Sequence, residues 1–290
     1  MTNFSHIISQ IFFNMKIYEF RIVCPTSVEQ YKIGNIYMTA KKTEEESTVV
    51  KGEGIETITN ETFSSNNENG IYTYKIMHFK SRIPSFMRWS IPDKYCHCHE
   101  HSWNTYPHFF TEYSVPGMGK DLVMTIESRH VSYINGEPIN ENLLNLNEKE
   151  LKKRKIVCLD LLDSKHKWGE GKKRDLSKWI CPKLGVHTPL QAENPNILNE
   201  SEPPSWTKKF NGEMMVAVKV VKLRFHWRGL QKIVENYAMK TVYHNLFLDA
   251  HKAMMNWGDE WGSMSFQDVR NYESRLTQQI NNLEFNKDEK

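Results

Sequence analysis

The apolar and polar positions alternate or recur with a helical period over most of the chain, and they define its elements in order. Ile17–Val23 predicts a strand, closed by Cys24-Pro25. Ser27-Val28-Glu29-Gln30 has the form of a capping box and predicts a helix running to about Lys42. The polar stretch Glu44–Gly54 reads as a loop. Strands are predicted at Glu53–Thr59, Ile71–Phe79, Tyr106–Ser114 and Asp121–His130, with a turn at Asn66–Gly70. A basic run, Lys149–Lys155, precedes a strand-like Ile156–Leu162, and residues 163–211, dense in Lys, Pro, Asn and Glu, predict a long irregular excursion. Met214–Trp227 predicts a long strand and Leu230–Asn256 a long helix. A terminal helix opens at an acidic cap, Ser265-Phe-Gln-Asp, and ends near Leu283. Many antiparallel strands with two late helices predict an α+β fold, in which a curved sheet grips a helix and leaves a cavity. Residues 15–290 read as one domain behind a short extension, residues 1–14, disordered or weakly helical.

Polar residues interrupt apolar rows on three separate elements. Thr73 and Lys75, two apart in a strand, point to the side that also carries Ile71 and Met77. A lysine there is costly unless an anion or dense hydrogen bonding compensates it, which suits the polar end of an amphipathic ligand; the other reading is a solvated lysine on an edge strand. Lys219 stands alone on the parity Met215, Ala217, Val221, Leu223, Phe225 and Trp227, unless it snorkels from the strand's start. Glu273 falls inside the helical stripe Val269, Tyr272, Leu276, Ile280 and Leu283. There it could accept hydrogen bonds from a polyol beneath a lid helix, or sit half-exposed on the flank. Trp227-Arg228 ends the long strand at a turn; this pair suits a membrane interface, while a buried tryptophan is the alternative.

Composition narrows the class. Among 290 residues, 38 Lys and Arg nearly balance 35 Asp and Glu, which argues against a dedicated nucleic-acid binder. Five irregularly spaced cysteines argue against a secreted disulfide scaffold and for a reducing cytoplasm. No run approaches the ~20 apolar residues that span a bilayer, so contact with membranes is expected to be peripheral. Tyr95-Cys-His-Cys-His-Glu-His resembles a metal site, but Cys96 and Cys98 alternate too tightly, and in a strand His97, His99 and His101 would face away from them. A metal on Cys96, Cys98 and His99 remains the minor reading. Gly169-Glu-Gly171-Lys172 lacks phosphate-loop spacing, Gly-x-Ser-x-Gly is missing and no triad is readable, so no enzyme is expected.

From about Lys16 to about Leu283 the chain resembles the class I phosphatidylinositol transfer proteins. The resemblance rests on Glu19-Phe-Arg-Ile, Ser27-Val-Glu-Gln-Tyr, Gly52-Glu-Gly-Ile-Glu, Gly70-Ile-Tyr-Thr-Tyr-Lys-Ile, His99-Glu, Trp103-Asn-Thr-Tyr-Pro, Phe225-His-Trp and Gly229-Leu-Gln-Lys-Ile-Val-Glu-Asn. It implies a START-like helix-grip fold around one enclosed phospholipid, phosphatidylinositol or phosphatidylcholine, carried as cargo without a cofactor, with residues 265–284 as a lid. It further implies a cytoplasmic monomer that visits membrane surfaces and supports phosphoinositide signalling; a START-like binder of, or enzyme for, another hydrophobic ligand is the alternative. Inositol-binding positions fall on Thr73, Lys75, Asn104 and Glu273, and phosphate-binding positions on Asn35, Thr111, Ser128 and Lys219. The family's membrane-docking pair falls on Trp227 and Arg228, where a second tryptophan is usual. A cysteine carried near the head group becomes Phe109, and a regulatory serine falls near Pro182.

Overall fold

A computed structural model describes residues 15–47, 52–65, 68–83, 91, 92, 95–135, 137–164, 166, 174–191, 201–227 and 229–283. The extension 1–14, Arg228 and the stretch 167–173 lie outside them. The elements run β1 Lys16–Cys24, α1 Val28–Ser47, β2 Gly54–Ser65, β3 Glu68–His78, β4 His97–Thr105, β5 His108–Ser114 and β6 Leu122–Tyr133. They continue with α2 Glu148–Lys153, β7 Arg154–Leu159, β8 Met214–Phe225, α3 Gln231–Tyr237, a π turn Ala238–Tyr243, α4 His244–Asn256, α5 Gly258–Trp261 and α6 Phe266–Asn281.

The eight strands form one sheet in the order β2-β3-β4-β5-β6-β8-β1-β7. Its pairs are antiparallel except β1 with β7, which run parallel, so the sheet is mixed rather than purely antiparallel as the sequence predicts. The β6–α2–β7 segment carries the chain round to the far edge before β8 returns to the middle.

The sheet is covered on both faces where it is widest. On the inner face, Phe20 of β1 meets Phe247 of α4 edge to face at 5.2 Å. On the outer face, Val216, Val218 and Val220 are as buried as their inner neighbours. Lys222, read from sequence as part of a wet face, pairs there with Glu150 of α2 at 2.6 Å. Glu19 and Arg21 of β1 are also buried on that face, paired with each other at 2.6 Å, and Glu19 pairs with Arg154 of β7 at 2.7 Å.

Several boundaries differ from the sequence reading, each for a physical reason. Helix α1 continues to Ser47 through the stretch read as a loop, because Lys42 pairs with Glu45 at 3.1 Å and Glu46 at 3.7 Å on its own surface. The strand read over Tyr106–Ser114 begins at His108; Tyr106-Pro107, joined by a cis peptide, is the turn from β4. The described parts of 163–211 are irregular but packed, burying Leu176, Leu184, Val186 and Trp206. The capping boxes form as read: Ser27 accepts from the Gln30 amide at 3.1 Å, and Ser265 caps α6 with Asp268.

Candidate functional site

Strand register decides which side chains meet. Asn104, Phe109, Ser128, Lys219 and Phe20 lie directly opposite one another across β4, β5, β6, β8 and β1. A parallel row runs Asn60, Thr73, Ser102, Thr111 and Ile126, and the next runs Thr57, Lys75, Glu100, Tyr113 and Met124. Because Phe20 contacts α4, all three rows face the inner helices. The predicted Thr73, Lys75, Asn104, Thr111, Ser128 and Lys219 therefore share one face. From β3 to β8 is four strand spacings, about 19 Å along a flat sheet; Thr111 and Lys219 are two spacings apart, about 10 Å.

Within these rows two polar groups lack partners among the described residues. Thr111 and Ser102 share a hydroxyl hydrogen bond at 3.0 Å, but the Asn104 Oδ1 is buried with no partner among the described residues. The Lys219 ammonium lies 5.6 Å from the Phe247 ring centroid, and no carboxylate of the described residues pairs with it. Burial pushes its pKa down to about 8, with the nearby Cys24 thiol opposing the shift.

Sequence reasoning missed the residues around this lysine. His130, two residues beyond Ser128 on the same face, is fully buried and neither ring nitrogen has a partner among the described residues. Its ring sits among Tyr31 at 4.6 Å, Phe109 at 5.0 Å and Tyr106 at 5.6 Å. Burial first, then the charge of Lys219, hold its pKa well below the usual histidine range. His251 donates from Nδ1 to the Phe247 carbonyl at 2.7 Å and accepts the Tyr31 hydroxyl at Nε2, 2.8 Å away; burial lowers its pKa to about 3. Lys219 is thus a cation among groups that stay neutral. The shared parity of His130 and Ser128 was the available signal. Asn35 lies one turn past Tyr31 on the same face of α1.

Helix α6 brings Glu273 to the other end of the rows. Glu273 pairs with Arg270 of its own helix, and Arg270 donates to Asn60 Oδ1 at 3.1 Å. Asn60 is directly opposite Thr73. Further along, the Asn281 amide bonds the Thr57 backbone in both directions, at 3.1 and 2.6 Å, where β2 bulges between Thr57 and Thr59. Tyr272 stacks on Tyr37 of α1 at 4.5 Å. The helix read as a lid is fastened to β2 and α1.

The same face continues into a cavity of about 750 Å³ between the sheet and the α3–α4 helix, with Met77, Leu122, Phe225, Trp227, Val234 and Val242 in its wall. Met77 is the next inward residue after Lys75, so the apolar cavity adjoins the polar rows. Trp227 is half-buried in that wall, stacked on Phe225 at 6.3 Å and edge-on to Tyr95 at 5.3 Å. Phe109 fills its place in the row beside Ser128.

The Cys-His stretch behaves as alternation requires. Cys96 and Cys98 are buried, while His99 and His101 bond Tyr74 and Tyr72 on the opposite face, both at 2.8 Å. Among the described residues, no three His, Cys, Asp or Glu side chains could hold one metal ion. No described helix is long and apolar enough to cross a membrane.

Residues 15–278 match the family model described as phosphatidylinositol transfer protein. Phosphatidylinositol transfer protein 1 of Dictyostelium discoideum is 32% identical over 275 residues, covering 95% of this chain and 98% of the relative. Phosphatidylinositol transfer protein 2 of the same organism is 33% identical, covering 94% and 98%. The human phosphatidylinositol transfer protein beta isoform is 30% identical over 271 residues, covering 92% and 94%. The chain belongs to the phosphatidylinositol transfer protein family.

Proposed function

We propose that this protein binds one phospholipid, phosphatidylinositol or phosphatidylcholine, and exchanges it between membranes as a cytoplasmic monomer without a cofactor. The observation that carries this reading is the continuity of one sheet face. A half-buried cation and polar groups without partners among the described residues adjoin an apolar cavity along the same strands, in the order in which a head group adjoins its acyl chains.

Magnitudes set the division of labour. Each buried methylene contributes about 0.8 kcal/mol, so two acyl chains with roughly 30 methylenes cost on the order of 25 kcal/mol to expose to water. The helix-grip arrangement encloses them. Head-group hydrogen bonds to charged partners contribute only about 1.5–3 kcal/mol each, enough to choose among lipids with equal tails. Lys219 neutralises the phosphate, with Asn35, Thr111 and Ser128 around it. Thr73, Lys75, Asn104 and Glu273 read the inositol hydroxyls, and Glu273 exchanges part of its bond to Arg270 for the ring.

The test is a transfer assay between vesicles, run separately for the two lipids. Thr73→Ala and Glu273→Ala abolish phosphatidylinositol transfer and spare phosphatidylcholine transfer. Equal loss of both lipids refutes the inositol assignment.

A further inference from the structure

The helix that walls the cavity presents an unusual outer surface. Ile233 is 53% exposed, Tyr237 38% and Leu246 42%. Single exposed apolar residues are ordinary. Here Ile233 and Tyr237 lie one above the other on α3, four residues apart, and Tyr237 and Leu246 also line the cavity. The exposed residues of α3 and the π turn are Lys232, Ile233, Asn236, Tyr237, Lys240 and Thr241. They include two lysines and no carboxylate. Glu235, the acidic residue of α3, is turned inward, where its Oε1 accepts from the Phe225 amide and from Gln231 Nε2, both at 3.0 Å.

The π turn Ala238–Tyr243 accounts for this orientation. Each π turn takes in an extra residue, and one extra residue rotates everything before it by about 100° relative to an unbroken α-helix. The α4 half keeps Phe247 and Leu248 against the sheet, and Asp249 and Lys252 are fixed from outside by Arg174 and the Asp163 carbonyl. The α3 half carries Ile233 and Tyr237 outward beside the cavity.

We propose that this face of α3 and the π turn docks the protein on an anionic bilayer, with the cavity facing the membrane. The inference rests on the phospholipid-exchange reading above, since an acyl chain can enter the cavity from a bilayer only where the cavity meets it. The chemistry of the face fits that occupant. Tyrosine and isoleucine sit at headgroup level with lysines flanking them, and the lysines match the negative surface of anionic lipid. Trp227 contributes as a wall of the cavity behind this face rather than as the leading contact.

The experiment is binding of the full chain to phosphatidylcholine vesicles prepared with and without phosphatidylserine. Replacing both lysines, Lys232→Ala with Lys240→Ala, weakens binding to the phosphatidylserine-containing vesicles by about thirtyfold and leaves binding to neutral vesicles unchanged. Ile233→Ser weakens binding to both. Neither variant touches the head-group rows, so the thermal midpoint and the co-purified lipid stay those of the parent protein. Unchanged vesicle binding in both variants overturns the proposal, as does normal vesicle binding with loss of association to another protein. Failure of the functional reading would appear separately, as a parent protein that carries no phospholipid whatever its vesicle binding.

Discussion

Lys219→Met removes the charge from the inner face while keeping the length of the side chain. The depression of the lysine pKa from 10.5 to about 8 corresponds to about 3 kcal/mol of penalty on the charged form. Loss of the contact with Phe247 offsets about 1 kcal/mol of this. The cargo-free variant is therefore more stable by about 2 kcal/mol, or about 3 °C in thermal midpoint at an unfolding entropy of about 2.1 cal/mol/K per residue. The gain depends on pH with a defined sign. Unfolded, the lysine keeps its proton to pH 10.5; folded, it releases it near pH 8. Between those values the unfolded state binds more protons, so the parent protein gains stability as pH rises. The difference between parent and variant is then largest below pH 8 and closes above it. Binding moves the opposite way: loss of a charged hydrogen bond worth about 1.5–3 kcal/mol lowers phospholipid affinity by about 10- to 150-fold. Calorimetry of delipidated protein across pH, with lipid binding measured on the same samples, checks both. A destabilised variant that retains its cargo would refute the argument.

Three further predictions concern the frame around the site. Asn281→Ala leaves the Thr57 N–H and carbonyl without the bonds at 3.1 and 2.6 Å, costs about 1–3 kcal/mol and speeds amide exchange at Thr57. Gly34→Ala puts a methyl 2.8 Å from the ring of Trp261, which is fixed by a 2.8 Å bond to the Met254 carbonyl. Overpacking there lowers stability by about 1–3 kcal/mol, read as a lower denaturant midpoint. Asp249→Asn takes from Arg174 and Lys42 the more buried of two carboxylates they share, bonded at 3.1 and 3.0 Å, and leaves them Glu45. The loss is about 1.5–3 kcal/mol, and an unchanged urea midpoint would show that the cluster does not anchor α4.

The sequence was legible where one face of an element is apolar and the other is not. Strands β1 and β8 and helix α6 carry clean patterns, and their limits fall within a few residues of the reading. Strand β4 was not assigned, because the residues it turns inward are Cys98, Glu100, Ser102 and Asn104. That is the polar part of the candidate site, so its own polar side chains erase the alternation that marks a strand. Strand β2 runs six residues past its predicted end for the same reason, with Asn60 and Thr62 facing inward. His130 escaped notice because a lone histidine in a strand carries no signal without its neighbours. The π turn breaks no hydrophobic period strongly enough to read. Glu273 was identifiable from its stripe, but its link through Arg270 to Asn60 is a long-range contact that no local pattern encodes.

In the proposed complex the polar rows hold the head group of a phospholipid and the apolar cavity holds its chains. Expression in a eukaryotic host, organic extraction of the purified protein and mass spectrometry of the extract test it most directly. About one phospholipid per chain, enriched in inositol and choline head groups and reduced in Lys219→Met, is the predicted result. A protein that carries no lipid, or only lipids without a phosphate, contradicts it.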